Sequence, residues 1–495
     1  MGRDIFTYLV FIILYNKEAL RDAHNVQWKV AGGKYMQGDT IAAIGSAMSA
    51  SGIGIVRISG DDARAILKKV YRTKATNKNI AKEFSHTIHY GFIYDGEKMI
   101  DEVLVMLMNR PKSYTGEDTV EINCHGGVLS MRKVLEVVIK NGARIAEPGE
   151  FTKRAFLNGK IDLSQAEAVG DIINAKSEYA LQASVSQLSG NVQRSIREIR
   201  EKVLYNIAYI ESALDDPEHI SIDGYGEELE KVVVVQKNKL EKLIASADEG
   251  RMIKEGIKTV IIGKPNAGKS SLLNILLGEE RAIVTDVAGT TRDVLEEMIV
   301  LDGVSLRMMD TAGIRETSDI VEKIGVKKTR EQAQKADLIL YVVDSSIPLD
   351  ENDEKIFSML RKDGKRAIVL LNKTDLKAVV SESELQEKCS FAIIPISAKE
   401  ESGIEELEKQ MKEMFFKGKI SFNDEVYITN MRHKEALMEA HKSLEMVETS
   451  INDGMPEDFY SIDLMNAYQA LGRITGETAS EDLVNEIFSK FCTGK

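Results

Sequence analysis

The run Gly263-Lys264-Pro265-Asn266-Ala267-Gly268-Lys269-Ser270 combines two glycines, a lysine and a hydroxyl at the spacing of a phosphate-binding loop. The glycines let the backbone wrap an anion with its amides turned inward. Lys269 adds a point charge, and the Ser270 hydroxyl can ligate Mg²⁺. The surroundings agree: the apolar run Thr259 to Ile262 reads as a strand before the loop, and Leu272 to Leu277 as helix after it. Strand, loop and helix are in the order the chemistry requires. Phosphate contacts are therefore assigned to Asn266, Ala267, Gly268, Lys269, Ser270 and Ser271, with Lys269 also the catalytic cation.

Three further motifs follow in order. Asp310-Thr311-Ala312-Gly313 ends the strand expected at Leu306 to Met309, which places Asp310 to hold the Mg²⁺ shell and Gly313 near a γ-phosphate. Asn372-Lys373-Thr374-Asp375 follows Ile368 to Leu371. The Asp375 carboxylate can accept from the two donors on the guanine edge, which adenine lacks, so this element selects the base. Ser397-Ala398-Lys399, after Ile393 to Ile396, reads as the last guanine-contacting loop. The set implies binding and hydrolysis of GTP. A glutamine directly after Gly313 would orient the attacking water, but Ile314 stands there. Arg292 and Arg315 stay open between arginine fingers and solvated switch residues, and Glu322 is an alternative that polarises the water.

The elements that must carry these loops follow from hydrophobic spacing. From Asp39 to Phe151 short β-rich runs alternate with helical ones. Leu163 to Gly250 reads as long bundle helices, strands return from Lys258 to Phe416, and Asp424 to Phe491 is helical again. The expected fold is α/β plus all-α. An N-terminal α/β domain (36–157) precedes a helical domain in two segments (158–254 and 418–495), interrupted by a Ras-like P-loop domain (255–417). A length of 495 residues suits about three domains. Only seven prolines and 43% apolar residues exclude a largely disordered chain. Cys124, Cys389 and Cys492 show no C-x-x-C spacing, which excludes a disulfide framework or zinc ribbon and fits a reducing cytosol. The net charge of -13 opposes non-specific attraction to nucleic-acid phosphates. The apolar run Phe6 to Tyr15 is too short for a bilayer, which needs about 20 residues. Residues 1–35 are expected not to belong to the natural protein, with Met36 as its start.

Gly289-Thr290-Thr291-Arg292-Asp293, the run Asp310 to Glu316, the run Glu150 to Lys160 with Ala166-Glu167-Ala168, and the terminal Cys492-Thr493-Gly494-Lys495 together resemble the MnmE (TrmE) family of tRNA wobble-uridine modification GTPases. The likeness extends from Gly38 to Lys495. It implies a K⁺ ion in place of an arginine finger, held by Asn266, Thr285, Val287 and Thr290. It further implies Mg²⁺ on Ser270 and Thr291, nucleotide contacts from Thr285, Thr290 and Thr291, and Glu322 as the water-polarising group. It implies a homodimer whose GTPase domains meet across the nucleotide, and an FAD-dependent partner, MnmG, in a heterotetramer or larger assembly that acts on tRNA. The N-terminal domain would bind 5-formyl- or 5,10-methylene-tetrahydrofolate through Arg57, Glu121, Lys160 and Lys495, residues that by themselves read as solvated charges. A carboxylate such as Glu121 suits the donors of a pterin, and cations such as Arg57 suit a glutamate tail. Cys492 stays open between one-carbon chemistry and packing near the chain end, while Cys124-His125 matches a structural segment. Thr493 departs from the branched apolar residue usual in that tail. A ribosome-assembly GTPase of the Era or Der kind would show a G-x-x-G RNA module or a second P-loop, and neither follows Phe416. A nucleotide switch without turnover is the remaining rival.

Overall fold

The structure is a computed structural model that describes residues 39–73, 79–278, 282–283, 297–309, 333–416, 426–492 and 494. Thr285, Val287, Thr290, Thr291, Asp310, Thr311, Ala312, Gly313, Glu322 and Lys495 lie outside the described residues, as does the extension before Met36. Two compact units are present. One runs to Ala155 and takes in the C-terminal end from Cys492, and the other spans Phe156–Phe491.

The first unit is built on seven strands: β1 (Ile41–Ile44), β2 (Ser51–Ser59), β3 (Tyr71–Arg72), β4 (Thr87–Asp95), β5 (Lys98–Met108), β6 (Thr119–Gly126) and β7 (Arg144–Ile145). Their order in the sheet is β3-β4-β5-β6-β2-β1-β7. Alternation along β2 and β6 sends Val56, Ile58, Val120, Ile122 and Cys124 to one face. Two helices cover that face. In α1 (Ala63–Val70) the buried residues Ala63, Ile66, Leu67 and Val70 form one apolar stripe, and α2 (Val128–Lys140) adds Met131, Val134, Val137 and Val138. Cys124 donates its thiol to the Gly54 carbonyl at 3.4 Å, and burial pushes that thiol up to about 11. It is a packed residue and not a nucleophile. The sequence assigned the C-terminal tail to the helical segment, but Cys492 and Gly494 pack with this unit.

Helix α3 (Glu150–Leu157) lies mostly in the first unit and runs across its boundary, and the second unit continues through α4 (Leu163–Asn174), α5 (Glu178–Leu188), α6 (Asn191–Asp215) and α7 (Tyr225–Glu255). The segment after the α/β insert supplies α12 (Met431–Asn452), α13 (Glu457–Thr475) and α14 (Glu481–Ser489). Neither segment has a core of its own. Ile199, Val203 and Ile207 of α6 and Val233 and Leu240 of α7 close against Leu437 and Leu444 of α12 and Leu464 and Leu471 of α13.

Between α7 and α12 the described residues form a second seven-stranded sheet: β8 (Ile257–Gly263), β9 (Ala282–Ile283), β10 (Glu297–Leu301), β11 (Val304–Met308), β12 (Leu338–Asp344), β13 (Arg366–Asn372) and β14 (Ala392–Pro395). The intervening helices are α8 (Lys269–Leu276), α9 (Glu351–Asp363), α10 (Glu382–Lys388) and α11 (Ile404–Phe416). The order is β14-β13-β12-β8-β11-β10-β9, with β10 antiparallel to both its neighbours and the remaining pairs parallel. Every residue of β12 is buried, as expected of a parallel strand covered on both faces. The loops that leave the carboxyl ends of parallel strands share one edge of the sheet, where such folds bind ligands.

Candidate functional site

Gly263 ends β8 and Lys269 opens α8, so the loop between them meets the helix N-terminus. Gly268 adopts φ +100, and a Cβ there would lie 2.1 Å from the Asn372 side-chain amide, so only glycine fits. Asn266 is also left-handed, at φ +61, and is exposed on the loop. The Lys269 ammonium donates to the Gly263 and Lys264 carbonyls at 2.9 and 2.6 Å. Burial lowers its pKa from the ordinary lysine value. Ser270, at the same helix start, is the one predicted Mg²⁺ ligand among the described residues, and its position at the phosphate end of α8 fits that task.

Asn372 joins the three loops. Its amide donates to the Ala267 carbonyl at 2.8 Å, and its side-chain oxygen accepts from the Ala398 amide at 3.0 Å. With Asn372 only 1% exposed, both bonds form in a dry environment, where losing either would leave a buried polar group unpaired. Phosphate loop, base-reading loop and last loop are thereby held in one frame. The Asp375 carboxylate accepts from the Ser397 hydroxyl at 2.8 Å, and Thr374 donates through its hydroxyl to the Ile396 carbonyl at 3.0 Å. The carboxylate is thus oriented before a base arrives. Lys399 is exposed beside this frame.

One residue that the motifs did not reveal lies beneath this frame. Asp344, the last residue of β12, pairs with the Lys373 ammonium at 2.5 Å and accepts from the amide and hydroxyl of Ser346 at 2.9 and 2.6 Å. Burial pushes its carboxyl up, but Lys373 and Ser346 outweigh that and hold it below the ordinary value. Lys373 adopts φ +65, a left-handed conformation that costs a non-glycine residue roughly 1–2 kcal/mol. The signal was present: β12, like the run before Asn372, is an apolar strand that ends in a polar residue at the ligand edge.

A second gathering of charge lies in the first unit. Arg57 of β2 and Glu121 of β6 are direct cross-strand partners, and the guanidinium Nε donates to the carboxylate at 2.7 Å. The sequence reading gave the two residues separate tasks, whereas here they form one largely buried ion pair. The Arg57 guanidinium lies 5.3 Å from the Tyr114 ring centre and 5.5 Å from that of Phe151, and donates to the Gly494 carbonyl at 3.4 Å. Gly149 donates to the Cys492 carbonyl at 3.4 Å, and Cys492 itself is exposed. A planar cation, a carboxylate and two aromatic rings suit a flat, donor-rich heterocycle with an anionic tail. Lys160 is an exposed residue of the second unit.

A largely parallel sheet that presents a glycine-rich loop at a helix start, with Asp375 and a third loop bonded into the same frame, is the arrangement of a P-loop GTPase. The profile of the MnmE helical domain matches residues 163–492, and that of the GTP-binding protein TrmE N-terminus matches residues 40–160. The tRNA modification GTPase MnmE of Lachnoclostridium phytofermentans is 57% identical over 460 residues, which cover 93% of this chain and 100% of that protein. The same-named protein of Clostridioides difficile is 48% identical over 462 residues, 92% of this chain and 99% of that one. Among solved structures, the G domain of the T. maritima FeoB iron transporter is 26% identical, with a TM-score of 0.24, and covers 32% of this chain and 97% of that one. The chain belongs to the MnmE (TrmE) family, and it is a GTP hydrolase. Among the described residues no helix is long and apolar enough to cross a membrane.

Proposed function

We propose that the chain hydrolyses GTP to drive modification of tRNA, placing an aminomethyl or carboxymethylaminomethyl group on C5 of the wobble uridine. The tRNA half of this reading is supported by likeness, over 93% of the chain, to a protein named as a tRNA modification GTPase. The GTP half is carried by one observation, the Asn372 side chain that bonds the phosphate loop to the last loop. In this scheme Asp375 reads the guanine edge, the phosphate-loop amides hold the anion, and Lys269 leaves its two carbonyls to meet the phosphates. Ser270 and Thr291 would hold Mg²⁺, and Asn266, Thr285, Val287 and Thr290 would hold K⁺. These cations, when bound, neutralise charge on the phosphates. Glu322 polarises the attacking water.

The one-carbon donor is a tetrahydrofolate derivative that Arg57, Glu121, Lys160 and Lys495 would hold, and Cys492 stays open between one-carbon chemistry and packing. The protein works in the cytoplasm as a homodimer with an FAD-dependent MnmG partner. Mass spectrometry of tRNA nucleosides from a strain lacking the gene tests this reading. The C5-modified wobble uridine should disappear and return with the wild-type gene, whereas an unchanged nucleoside profile contradicts a role in tRNA modification.

A further inference from the structure

We infer that Asp344 is a positioning residue for guanine recognition, acting through Lys373 to hold the base-reading loop in its strained turn. This rests on the assignment of residues 372–375 as that loop. Lys373 lies between Asn372, which locks the phosphate loop to the last loop, and Asp375, which faces the base. Its backbone is left-handed, and such a conformation persists only where neighbours over-determine it. The neighbours are Asp344, the last residue of β12, and Ser345, which follows it. Asp344 captures the Lys373 ammonium at 2.5 Å, while Ser345 donates through its hydroxyl to the Lys373 carbonyl at 3.0 Å and through its amide to the Asn372 carbonyl at 2.9 Å. The Ser345 carbonyl then accepts from the Val379 and Val380 amides at 2.7 and 3.0 Å, which closes the far side of the loop.

Asp344 is itself fixed. It is 7% exposed, and Ser346 donates twice to the oxygen that Lys373 does not use. A buried carboxylate with both oxygens committed cannot swing away from the ammonium. Without that charge the Lys373 side chain is released, the turn relaxes toward ordinary φ, and the Asp375 carboxylate two residues on loses its setting. The consequence is weaker binding of GDP and GTP alike, because both present the same base edge.

The test is a double-mutant cycle on GDP affinity, measured calorimetrically on the full chain with Asp344→Asn, Lys373→Met and the pair. Asp344→Asn should weaken GDP and GTP binding by about tenfold in the wild-type background and by almost nothing once Lys373 is Met. A bystander of the fold would not show this dependence on Lys373. Equal losses in both backgrounds, or no loss in either, overturn the inference. Should Asp344→Asn not fold, Ser346→Ala carries the same cycle with a smaller loss, because it removes one of the bonds that fix the carboxylate. Wild-type protein that binds ATP as well as GTP would instead defeat the base-loop assignment itself, so the two failures are distinguishable.

Discussion

The nucleotide loops and the Arg57–Glu121 region both gather charged groups around a predicted ligand, but the chain reaches them by opposite routes. Each nucleotide loop is a short consecutive stretch, 263–270, 372–375 or 397–399, that follows directly on a strand of one parallel sheet. The strands supply the alignment, and a few bonds such as those of Asn372 complete it. The Arg57 region instead joins single residues from two antiparallel strands, a helix and the last residues of the chain. Its parts share no spacing in the sequence. A site that uses backbone amides at a helix start needs a fixed run of small residues. A site that uses side chains across a sheet needs only that the sheet bring them together.

The larger effect concerns hydrolysis, which should be separable from a binding frame already set by the described loops. Glu322→Ala should slow GTP turnover by about 10²-fold with affinity nearly unchanged, as for a group acting in the transition state. Exchange of K⁺ for Na⁺ at equal ionic strength should slow it by about tenfold, or about 1.4 kcal/mol, and Asn266→Ala should abolish that salt difference. Steady-state rates beside calorimetric affinities decide the matter. A parallel loss of affinity would mean that the frame is not preset, and equal rates in both salts would remove the K⁺ assignment.

The smaller effect concerns the assembled site. Gly494 sits at φ +95, and a Cβ there would lie 2.2 Å from the Ile44 carbonyl. Gly494→Ala should undock the tail from Arg57 and weaken binding of 5-formyltetrahydrofolate by about tenfold, while GTP turnover stays as in the wild type. Unaltered folate affinity in a calorimetric titration would show that the tail has no part in that site.

The same contrast explains what was legible in the sequence. The β8, β11, β13 and β14 strands and the loops after β8, β13 and β14 were readable because each strand-forming run ends at residues with a chemical signature. Asp344 ends β12 in the same way, but it acts on Lys373 rather than on the ligand, so no ligand-binding pattern contains it. Arg57 and Glu121 were found through family resemblance, while their mutual pairing depends on the register of β2 against β6, which spacing along one strand does not encode. Docking of the tail on the first unit was equally hidden. Nothing in the sequence of that tail names a partner, and the hydrogen bonds of Cys492 and Gly494 with the close approach of Gly494 to Ile44 show where these two residues pack.

In the proposed scheme Asp375 reads the guanine edge from a loop held in advance by Asn372, Ser397 and Thr374. The direct measurement is turnover and affinity of wild-type protein and Asp375→Asn with GTP and xanthosine triphosphate, whose altered edge suits an amide. Wild type should prefer GTP, and Asp375→Asn should prefer xanthosine triphosphate while keeping its fold. Unchanged preference for GTP in Asp375→Asn would contradict the account and place base recognition on another loop.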